Sequence, residues 1–281
     1  MIEVPIVDRA FPNGISMQGI MPTRMKWLWN WQPPQKWVVF TDRATDAADS
    51  AIFPKANGAK KVALLLEAQH FDWVGLLTTR RLAHELTYIL THERSIMAEF
   101  GAKSLWYPHG GCWIPSNDRH LGHPKPHNLS IIASVKANCD GHKLRHTIVD
   151  KFRAHMSVYG WSYNPIQFKT EGTAPFRFSF AIENGWSDDY FTEKLLDCFA
   201  VGTVPIYWGA GGISKFFNMD GVIILPQDVS SVPDFVSELL PTLTADRYTS
   251  MRPAIEDNFN RCKDYFVSED WICEHYPFLF V

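Results

Sequence analysis

Residues 176–212 read FRFSFAIENGWSDDYFTEKLLDCFAVGTVPIYWGAGG. The apolar runs near residues 178–182 and 204–208 predict two strands, and the segment between them predicts a helix. A strand, a helix and a second strand in this order are typical of a parallel sheet covered by helices. Gly185 is expected to turn the chain after the first strand, which leaves Glu183 and Asn184 at its carboxyl end.

The predicted helix has two distinct faces. One face carries four side chains at helical spacing and should pack on the sheet: Phe191, Leu195, Cys198 and Phe199. On another face, Tyr190 lies four residues before Lys194 and three before Glu193. Candidates for the N-cap of this helix are Ser187, Asp188 and Asp189.

The polar groups at the start of this helix suit an anion. Free backbone N–H groups and the helix dipole favour negative charge there, and Lys194 adds a full positive charge. The sequence therefore predicts a diphosphate site near Asn184 and residues 188–192, with Glu193 available to hydroxyl groups such as those of a ribose. The alternative is an ordinary Glu193–Lys194 pair on a solvated helix surface.

Strand-like and helix-like segments alternate along most of the chain. The stretches VVFTD, KVALLLEAQ, LTYILTH and NLSIIASV predict strands, whereas DWVGLLTTRRLAHEL and GHKLRHTIVDKFRAHM predict helices. Residues 114–128 are polar and contain three prolines, so they read as a linker. We therefore expect an α/β fold with two lobes, residues 1–123 and residues 124–281, whose parallel sheets face a cleft.

Composition excludes several classes of protein. The 281 residues carry 27 Lys and Arg against 30 Asp and Glu, and no long basic run, so nucleic acid is not an expected partner. Five scattered cysteines without a C-x-x-C pair argue against a disulfide framework. No secretory signal and no apolar run of about 18 residues is visible, so we expect a soluble, cytoplasmic protein without a transmembrane segment.

No metal or cofactor is expected. The histidines of the linker, His120, His123 and His127, are irregularly spaced and lack a partner carboxylate pattern. The adjacent Asp188 and Asp189 could be read as a metal-binding pair, but helix capping is the interpretation we favour. A nucleotide sugar would then serve as co-substrate without an ion.

The donor segment resembles a known family. The string A-x-E-N-(x)-D-Y-x-T-E-K-L is followed by A-x-G-T-V-P-I-Y-x-G, where (x) stands for a gap of variable length between Asn184 and Asp189. This order is similar to the C-terminal signature of the α-1,3/4-fucosyltransferases. The matching residues are Ala181, Glu183, Asn184, Asp189, Tyr190, Thr192, Glu193, Lys194, Leu195, Ala200, Gly202 through Tyr207, and Gly209.

The resemblance implies a fold and a reaction. Members of the family have two Rossmann-like lobes, the GT-B architecture, and transfer L-fucose from GDP-fucose to a glycan hydroxyl with inversion and without metal. It implies donor binding by Asn184, Tyr190, Glu193 and Lys194. The upstream segment SIIASVKANCDGHKLRHTIVDKF resembles the family more weakly, and on that match Arg145 contacts the donor diphosphate.

The family also places a catalytic carboxylate in its N-terminal lobe, after an early strand. The best match is Glu67 in KVALLLEAQHF, which we expect to be the general base; Asp72 and His70 are the competing candidates. The acceptor side is not defined by the sequence. Four tryptophans either pack on the domain surface, which we favour, or stack on a sugar ring: Trp27, Trp29, Trp31 and Trp37.

Two rival functions stay open at this point. The same fold could use another nucleotide sugar, because a fold and a donor site do not fix the transferred sugar. The chain could also be a glycan-binding relative that has lost catalysis, in which case donor-site charges should be missing. Arg145, Glu193 and Lys194 are all present, which favours the enzyme.

Overall fold

The computed structural model describes residues 1–7, 21–42, 54–68 and 73–281. The chain forms two compact units. Unit 1 comprises Met1–His109 and Val267–Val281, and unit 2 comprises Gly110–Phe266. This division differs from the expected one at residue 123, because residues 110–123 are compact with unit 2 and the C-terminal segment returns to unit 1. The acceptor-side and donor-side roles of the two lobes stay predictions.

Unit 1 is built on a parallel sheet of six strands in the order β2-β1-β3-β4-β5-β6. The strands are β1 (Ile2–Val7), β2 (Met25–Leu28), β3 (Trp37–Thr41), β4 (Lys60–Leu64), β5 (Leu86–Thr91) and β6 (Ser104–Trp106). The helices α1 (Trp73–Leu82) and α2 (Arg94–Phe100) follow β4 and β5. The first two strands lie in residues 1–36, where the sequence pattern predicted no strand.

The apolar sequences of the unit 1 strands correspond to burial in the core of this unit. Every residue of β3 is buried, as expected for a strand of a parallel sheet covered on both faces. Trp27 and Trp37 are also buried, so these two tryptophans pack inside the unit, and the stacking alternative does not hold for them. The indole N–H of Trp31 donates to the Ile6 carbonyl at 3.2 Å.

Unit 2 is built on a second parallel sheet, in the order β11-β10-β9-β7-β8. Its strands are β7 (His127–Ile132), β8 (Ser157–Tyr159), β9 (Phe176–Ser187), β10 (Val204–Ala210) and β11 (Ile223–Ile224). Its helices are α3 (Asp140–Phe152), α4 (Lys169–Thr173), α5 (Glu193–Ala200), α6 (Val232–Leu239), α7 (Ala245–Ser250) and α8 (Arg252–Arg261). After unit 2, α9 (Ser268–His275) completes unit 1.

These two sheets confirm the predicted α/β fold class. In unit 2 the order of strands reverses between β7 and β9, because the chain moves from β7 outward to β8 and then returns to the other side of β7. Ligands of open parallel sheets bind beyond the carboxyl ends of the strands at such a reversal. The cleft expected between the lobes stays a prediction. Among the described residues, no helix is long and apolar enough to cross a membrane.

Candidate functional site

The reversal between β7 and β9 brings helix α3 onto the end of strand β9. A Cβ atom added to Gly141 would lie 1.7 Å from the Glu183 carbonyl oxygen, so only glycine permits this close approach. One turn later on α3, the guanidinium Nη2 of Arg145 donates to Asn184 Oδ1 at 2.9 Å. Two predicted site residues from separate segments are therefore in contact at the expected edge of the sheet.

Arg145 is an unusual arginine because it is buried. Its side chain is 7% exposed, and its Nε–H has no hydrogen-bond partner among the described residues. Burial lowers the pKa of the guanidinium, while the charges of Glu183 and Glu193 act in the opposite direction. A buried, unpaired N–H donor costs about 1–3 kcal/mol, so this group is suited to an anion that would complete its hydrogen bonds.

A fully buried carboxylate, that of Glu183, organises the site. Its Oε1 accepts from the Thr192 N–H at 2.8 Å, and its Oε2 accepts from the Thr192 hydroxyl at 2.6 Å. Gly209 makes room for it, since a Cβ there would lie 2.4 Å from Glu183 Cγ. Burial raises the pKa of Glu183, and the nearby Lys194 opposes that shift. The sequence analysis placed Glu183 at a strand end and in the family signature without a role; in the structure it binds Thr192 and lies beside Lys194.

The start of helix α5 differs from the expectation. Strand β9 continues through Gly185 to Ser187, and α5 begins at Glu193 with Thr192 as its N-cap. The capping role expected of Ser187, Asp188 and Asp189 is therefore wrong. The buried Asp189 pairs instead with Lys215, whose Nζ lies 3.1 Å from Oδ1. The N-terminus of the helix therefore lies at Glu193, and the Thr192 N–H is already bound to Glu183; an anion position near residues 188–192 stays a prediction.

Lys194 and Glu193 lie where a ligand could reach them, but both are paired. The Lys194 ammonium lies 3.2 Å from the Thr192 hydroxyl, 3.3 Å from Glu193 Oε1 and 3.5 Å from Glu183 Oε2. Its side chain is 22% exposed, whereas that of Glu193 is 11% exposed. The ordinary solvated helix pair is therefore excluded, since these charges are largely buried.

Tyr190 is placed differently from the other predicted donor residues. It precedes α5 and is 1% exposed, so it does not share a helix face with Lys194. Its carbonyl accepts from the Tyr207 hydroxyl at 3.3 Å, and that hydroxyl accepts from the Ala210 N–H at 2.9 Å. A donor contact by Tyr190 stays a prediction. In contrast, Leu195, Cys198 and Phe199 lie on α5 and are buried, as expected, whereas Phe191 is buried just before the helix.

A second ion-pair group beside α5 was not predicted from the sequence. The Lys169 ammonium lies 3.1 Å from Glu193 Oε1 and 3.0 Å from Asp197 Oδ2. Asp197 Oδ1 accepts from the backbone N–H of Trp113 at 2.6 Å. The Lys169 ammonium lies 4.5 Å from the centre of the Trp113 ring. The available signal was Asp197 itself, a carboxylate on a helix face that is otherwise apolar.

Glu67 lies after a strand of unit 1, and its role as the general base stays a prediction. Glu67 follows β4 and is partly exposed. Asp42 Oδ1, just after β3, accepts from the backbone N–H groups of Leu66 and Glu67 at 2.8 and 3.3 Å. His109 Nδ1 lies 2.9 Å from the Leu66 carbonyl oxygen. The competing candidates His70 and Asp72 lie outside the described residues.

The described part of the chain offers no ready metal site. Within it, no group of three or more His, Cys, Asp or Glu side chains is placed to hold an ion. Asp188 and Asp189 do not form such a group. Independence from metal stays a prediction, and the charged groups around Glu183 are the available partners for a diphosphate.

Solved structures share the fold of the chain. A crystal structure of an alpha1,3-fucosyltransferase with GDP-fucose matches with a TM-score of 0.53 over 92% of this chain and 82% of that chain. The two sequences are 13% identical, so the likeness concerns the fold alone. It confirms the predicted GT-B fold class.

Relatives in sequence match part of the chain. The alpha-(1,3)-fucosyltransferase FucT of Helicobacter pylori is 34% identical over 73 residues, which are 26% of this chain and 14% of that protein. The GDP-fucose protein O-fucosyltransferase 3 of Bos taurus is 27% identical over 126 residues, 39% of this chain and 26% of that protein. The chain thus spans only a minor part of the length of either relative.

The family model confirms the resemblance seen in the signature. The model described as glycosyltransferase family 10 (fucosyltransferase) C-term matches residues 125–252, which include Arg145, Asn184, Tyr190, Glu193 and Lys194. The sheet of unit 2 and the site at its edge lie within this match. Residues 125–252 are therefore similar to the C-terminal domain of glycosyltransferase family 10, the fucosyltransferase family.

Proposed function

We propose that the protein is an inverting glycosyltransferase that transfers L-fucose from GDP-fucose to a hydroxyl group of a glycan. The observation that carries this proposal is the pair of cationic side chains at the edge of the unit 2 sheet. Arg145 is buried with an unpaired Nε–H, and Lys194 is partly exposed beside the buried Glu183. The match to the fucosyltransferase family model and the fold shared with a GDP-fucose complex support the choice of donor.

The donor would bind through its diphosphate. Phosphate oxygens offer the Arg145 Nε–H the acceptor that it lacks, and a guanidinium suits phosphate geometry. Lys194 would turn from its carboxylate partners toward the diphosphate, which carries more negative charge than either of them. Glu193 would then accept hydrogen bonds from hydroxyls of the ribose or of the transferred sugar, and Asn184 would position donor oxygens through its bond to Arg145.

The reaction we propose is a single displacement. The acceptor oxygen attacks the anomeric carbon while the bond from that carbon to the diphosphate oxygen breaks, and GDP leaves with the bonding electrons. Glu67 takes the proton of the acceptor hydroxyl, which is general-base catalysis. Arg145 and Lys194 stabilise the charge that develops on the departing diphosphate. The proposed reaction requires no metal ion, since Arg145 and Lys194 offset the charge of the diphosphate.

A panel of donors tests the proposal. Purified protein is incubated with GDP-fucose, GDP-mannose, UDP-glucose and UDP-galactose, with and without EDTA, and the release of nucleoside diphosphate is measured. We expect slow hydrolysis of GDP-fucose ahead of the other donors, unchanged by EDTA. Release of UDP but not GDP would instead support the same fold with a different nucleotide sugar. Loss of activity in EDTA with recovery in manganese would contradict the metal-free mechanism.

A further inference from the structure

Five charged side chains of unit 2 form a row of alternating sign. In order they are Asp197, Lys169, Glu193, Lys194 and Glu183, and the successive distances between their charged atoms are 3.0, 3.1, 3.3 and 3.5 Å. The inner end of the row, Glu183 with Lys194, adjoins the proposed diphosphate site. The outer end, Asp197 with Lys169, has no place in the mechanism given above.

The outer pair is built as a fixed support. Asp197 is 4% exposed in its side chain, and its second oxygen is held by the Trp113 N–H at 2.6 Å. Burial lowers the pKa of Lys169, but the charges of Asp197 and Glu193 outweigh this effect and raise the pKa above its usual value. The ring of Trp113 faces the same ammonium at 4.5 Å, a cation–π distance. Lys169 is therefore a permanent cation in a defined position.

The Glu193 carboxylate lies between the ammonium groups of Lys169 and Lys194. Binding of a donor would move only that of Lys194. When a diphosphate draws Lys194 away, the mostly buried carboxylate of Glu193 would lose one compensating charge. Lys169 is tied to Asp197 and is not free to follow. A buried carboxylate without a cationic partner would tend to take up a proton, and a protonated Glu193 accepts hydrogen bonds from donor hydroxyls less well.

We propose that Lys169, held by Asp197, is a positioning residue for the donor site. It keeps the Glu193 carboxylate charged and oriented toward the hydroxyls of the bound nucleotide sugar while Lys194 serves the diphosphate. This inference rests on the proposed function. It adds to that function separate roles for the two lysines: Lys194 contacts the diphosphate, and Lys169 does not.

The test uses a substitution that leaves the net charge unchanged. Lys169→Met alone would leave Asp197 and Glu193 facing each other, and this variant can fail to fold. The double variant Lys169→Met/Asp197→Asn removes both outer charges, and the new amide can still accept from the Trp113 N–H. The matched control is Lys26→Met/Glu3→Gln, which removes an exposed ion pair of 2.6 Å in unit 1. Lys169→Arg keeps the charge and serves as the conservative variant.

Calorimetry with GDP-fucose, GDP and inorganic pyrophosphate separates a positioning role of Lys169 from general damage to the fold. GDP-fucose affinity should fall about ten- to a hundredfold in the double variant, since a hydrogen bond to a charged group is weakened. Lys169→Arg should recover most of this loss, and the control should bind as the wild type does. Inorganic pyrophosphate, which has no hydroxyls for Glu193, should bind the double variant within about twofold of the wild type.

The outcomes distinguish the two levels of the proposal. A loss for GDP as well as GDP-fucose assigns Glu193 to the ribose, and a loss for GDP-fucose alone assigns it to the transferred sugar; both support the positioning role. Unchanged affinity for both nucleotides, or an equal loss for pyrophosphate, would overturn it. If the wild type binds UDP-glucose but no GDP-sugar, the proposed donor is wrong and the same comparison is made with UDP-glucose. If it binds none of them, the proposed function and the positioning role fail together.

Discussion

The two sheets share a strand order but hold their polar groups in different ways. In each, the first strand lies between the second and the third, so each sheet has a comparable reversal of strand order. In unit 2 the charges are buried and paired with one another around Glu183. In unit 1 the partly exposed Glu67 is held through its backbone N–H by Asp42.

This difference suits two kinds of chemistry. A site that binds a charged ligand gains from buried charges, because charges interact more strongly where water is excluded. A general base must exchange a proton with a neutral hydroxyl, and the partly exposed carboxylate of Glu67 suits that exchange. The comparison therefore predicts that substitution of Glu67 affects transfer alone, whereas substitutions of the charged groups around Glu183 affect binding of the donor and stability.

The largest effect on activity is expected for Glu67→Gln. The amide has the same shape as the carboxylate but cannot accept the acceptor proton, so transfer should fall by about 10²- to 10⁴-fold. GDP affinity should stay near that of the wild type, because the proposed donor contacts all belong to unit 2. The measurement pairs calorimetry with GDP and the rate of transfer to an active acceptor.

Glu3→Gln is the control for this variant, since Glu3 is an exposed carboxylate of the same unit paired with Lys26. Transfer by Glu67→Gln within threefold of the wild type would remove Glu67 from the mechanism. Attention would then pass to Asp72 and His70, the other candidates from the sequence.

Arg145→Ala and Lys194→Ala should each lower activity by about ten- to a thousandfold, because each removes a charge that stabilises the leaving diphosphate. Unlike the Glu67 variant, both should also weaken the binding of GDP. Lys143→Ala is the matched control, since Lys143 lies on the same helix as Arg145 and its side chain is 68% exposed. Near-full turnover of either variant at saturating donor would show that its assigned role is wrong.

Glu183→Gln tests whether unit 2 is organised by its buried carboxylate. The amide nitrogen would replace one of the two oxygens that Thr192 and Lys194 now share, and a buried ion pair would be broken. We expect a loss of about 3 kcal/mol in the free energy of unfolding, measured by urea denaturation. The exposed Glu256→Gln, on α8, should change it by less than about 0.5 kcal/mol. Equal effects of the two substitutions would contradict a special role for Glu183.

The sequence predicted well those features that depend on periodicity and on order along the chain. The buried strands β9 and β10 and the apolar face of Leu195 and Phe199 follow from the spacing of apolar residues. Arg145 and Asn184 could be assigned to one site because their segments resemble the family in order. Their direct contact, made at Gly141, is a tertiary feature that spacing alone does not contain.

The wrong predictions arise where contacts with distant parts of the chain override the local sequence preference. Asp188 and Asp189 are good N-cap residues by type, but Thr192 is the N-cap, because Glu183 binds its N–H and hydroxyl and fixes the chain there. Tyr190 consequently falls before the helix and into the core. The return of residues 267–281 to unit 1 is likewise a long-range event, since Thr23 is bound to Asp270 across most of the sequence.

A smaller effect of pH is expected from His142, which lies on α3 near Arg145. Burial, followed by the charges of Arg145, Lys136, Lys194 and His146, lowers the pKa of His142 from 6.5 to about 4. Between these two values the unfolded chain binds more protons than the folded one. Stability should therefore fall as the pH drops from about 6.5 to 4, by at most about 3 kcal/mol.

His142→Asn isolates this contribution, because its side-chain oxygen can replace Nδ1 as the acceptor for the Asn138 N–H. The unfolding free energy of this variant should depend less steeply on pH between 6.5 and 4 than that of the wild type. The exposed His84→Asn should leave the slope unchanged. Identical slopes for the wild type and His142→Asn would show that His142 titrates normally.

The central claim is that the charged groups at the edge of the unit 2 sheet bind a guanosine diphosphate. Thermal unfolding of the wild-type protein with GDP, UDP or guanosine at millimolar concentration tests it most directly. At about a hundred times its dissociation constant, GDP should add roughly 2.7 kcal/mol to the free energy of unfolding and raise the melting temperature. Guanosine, which lacks the diphosphate, should have little effect, and UDP should have less effect than GDP. A melting curve that GDP leaves unmoved while UDP shifts it would contradict the account.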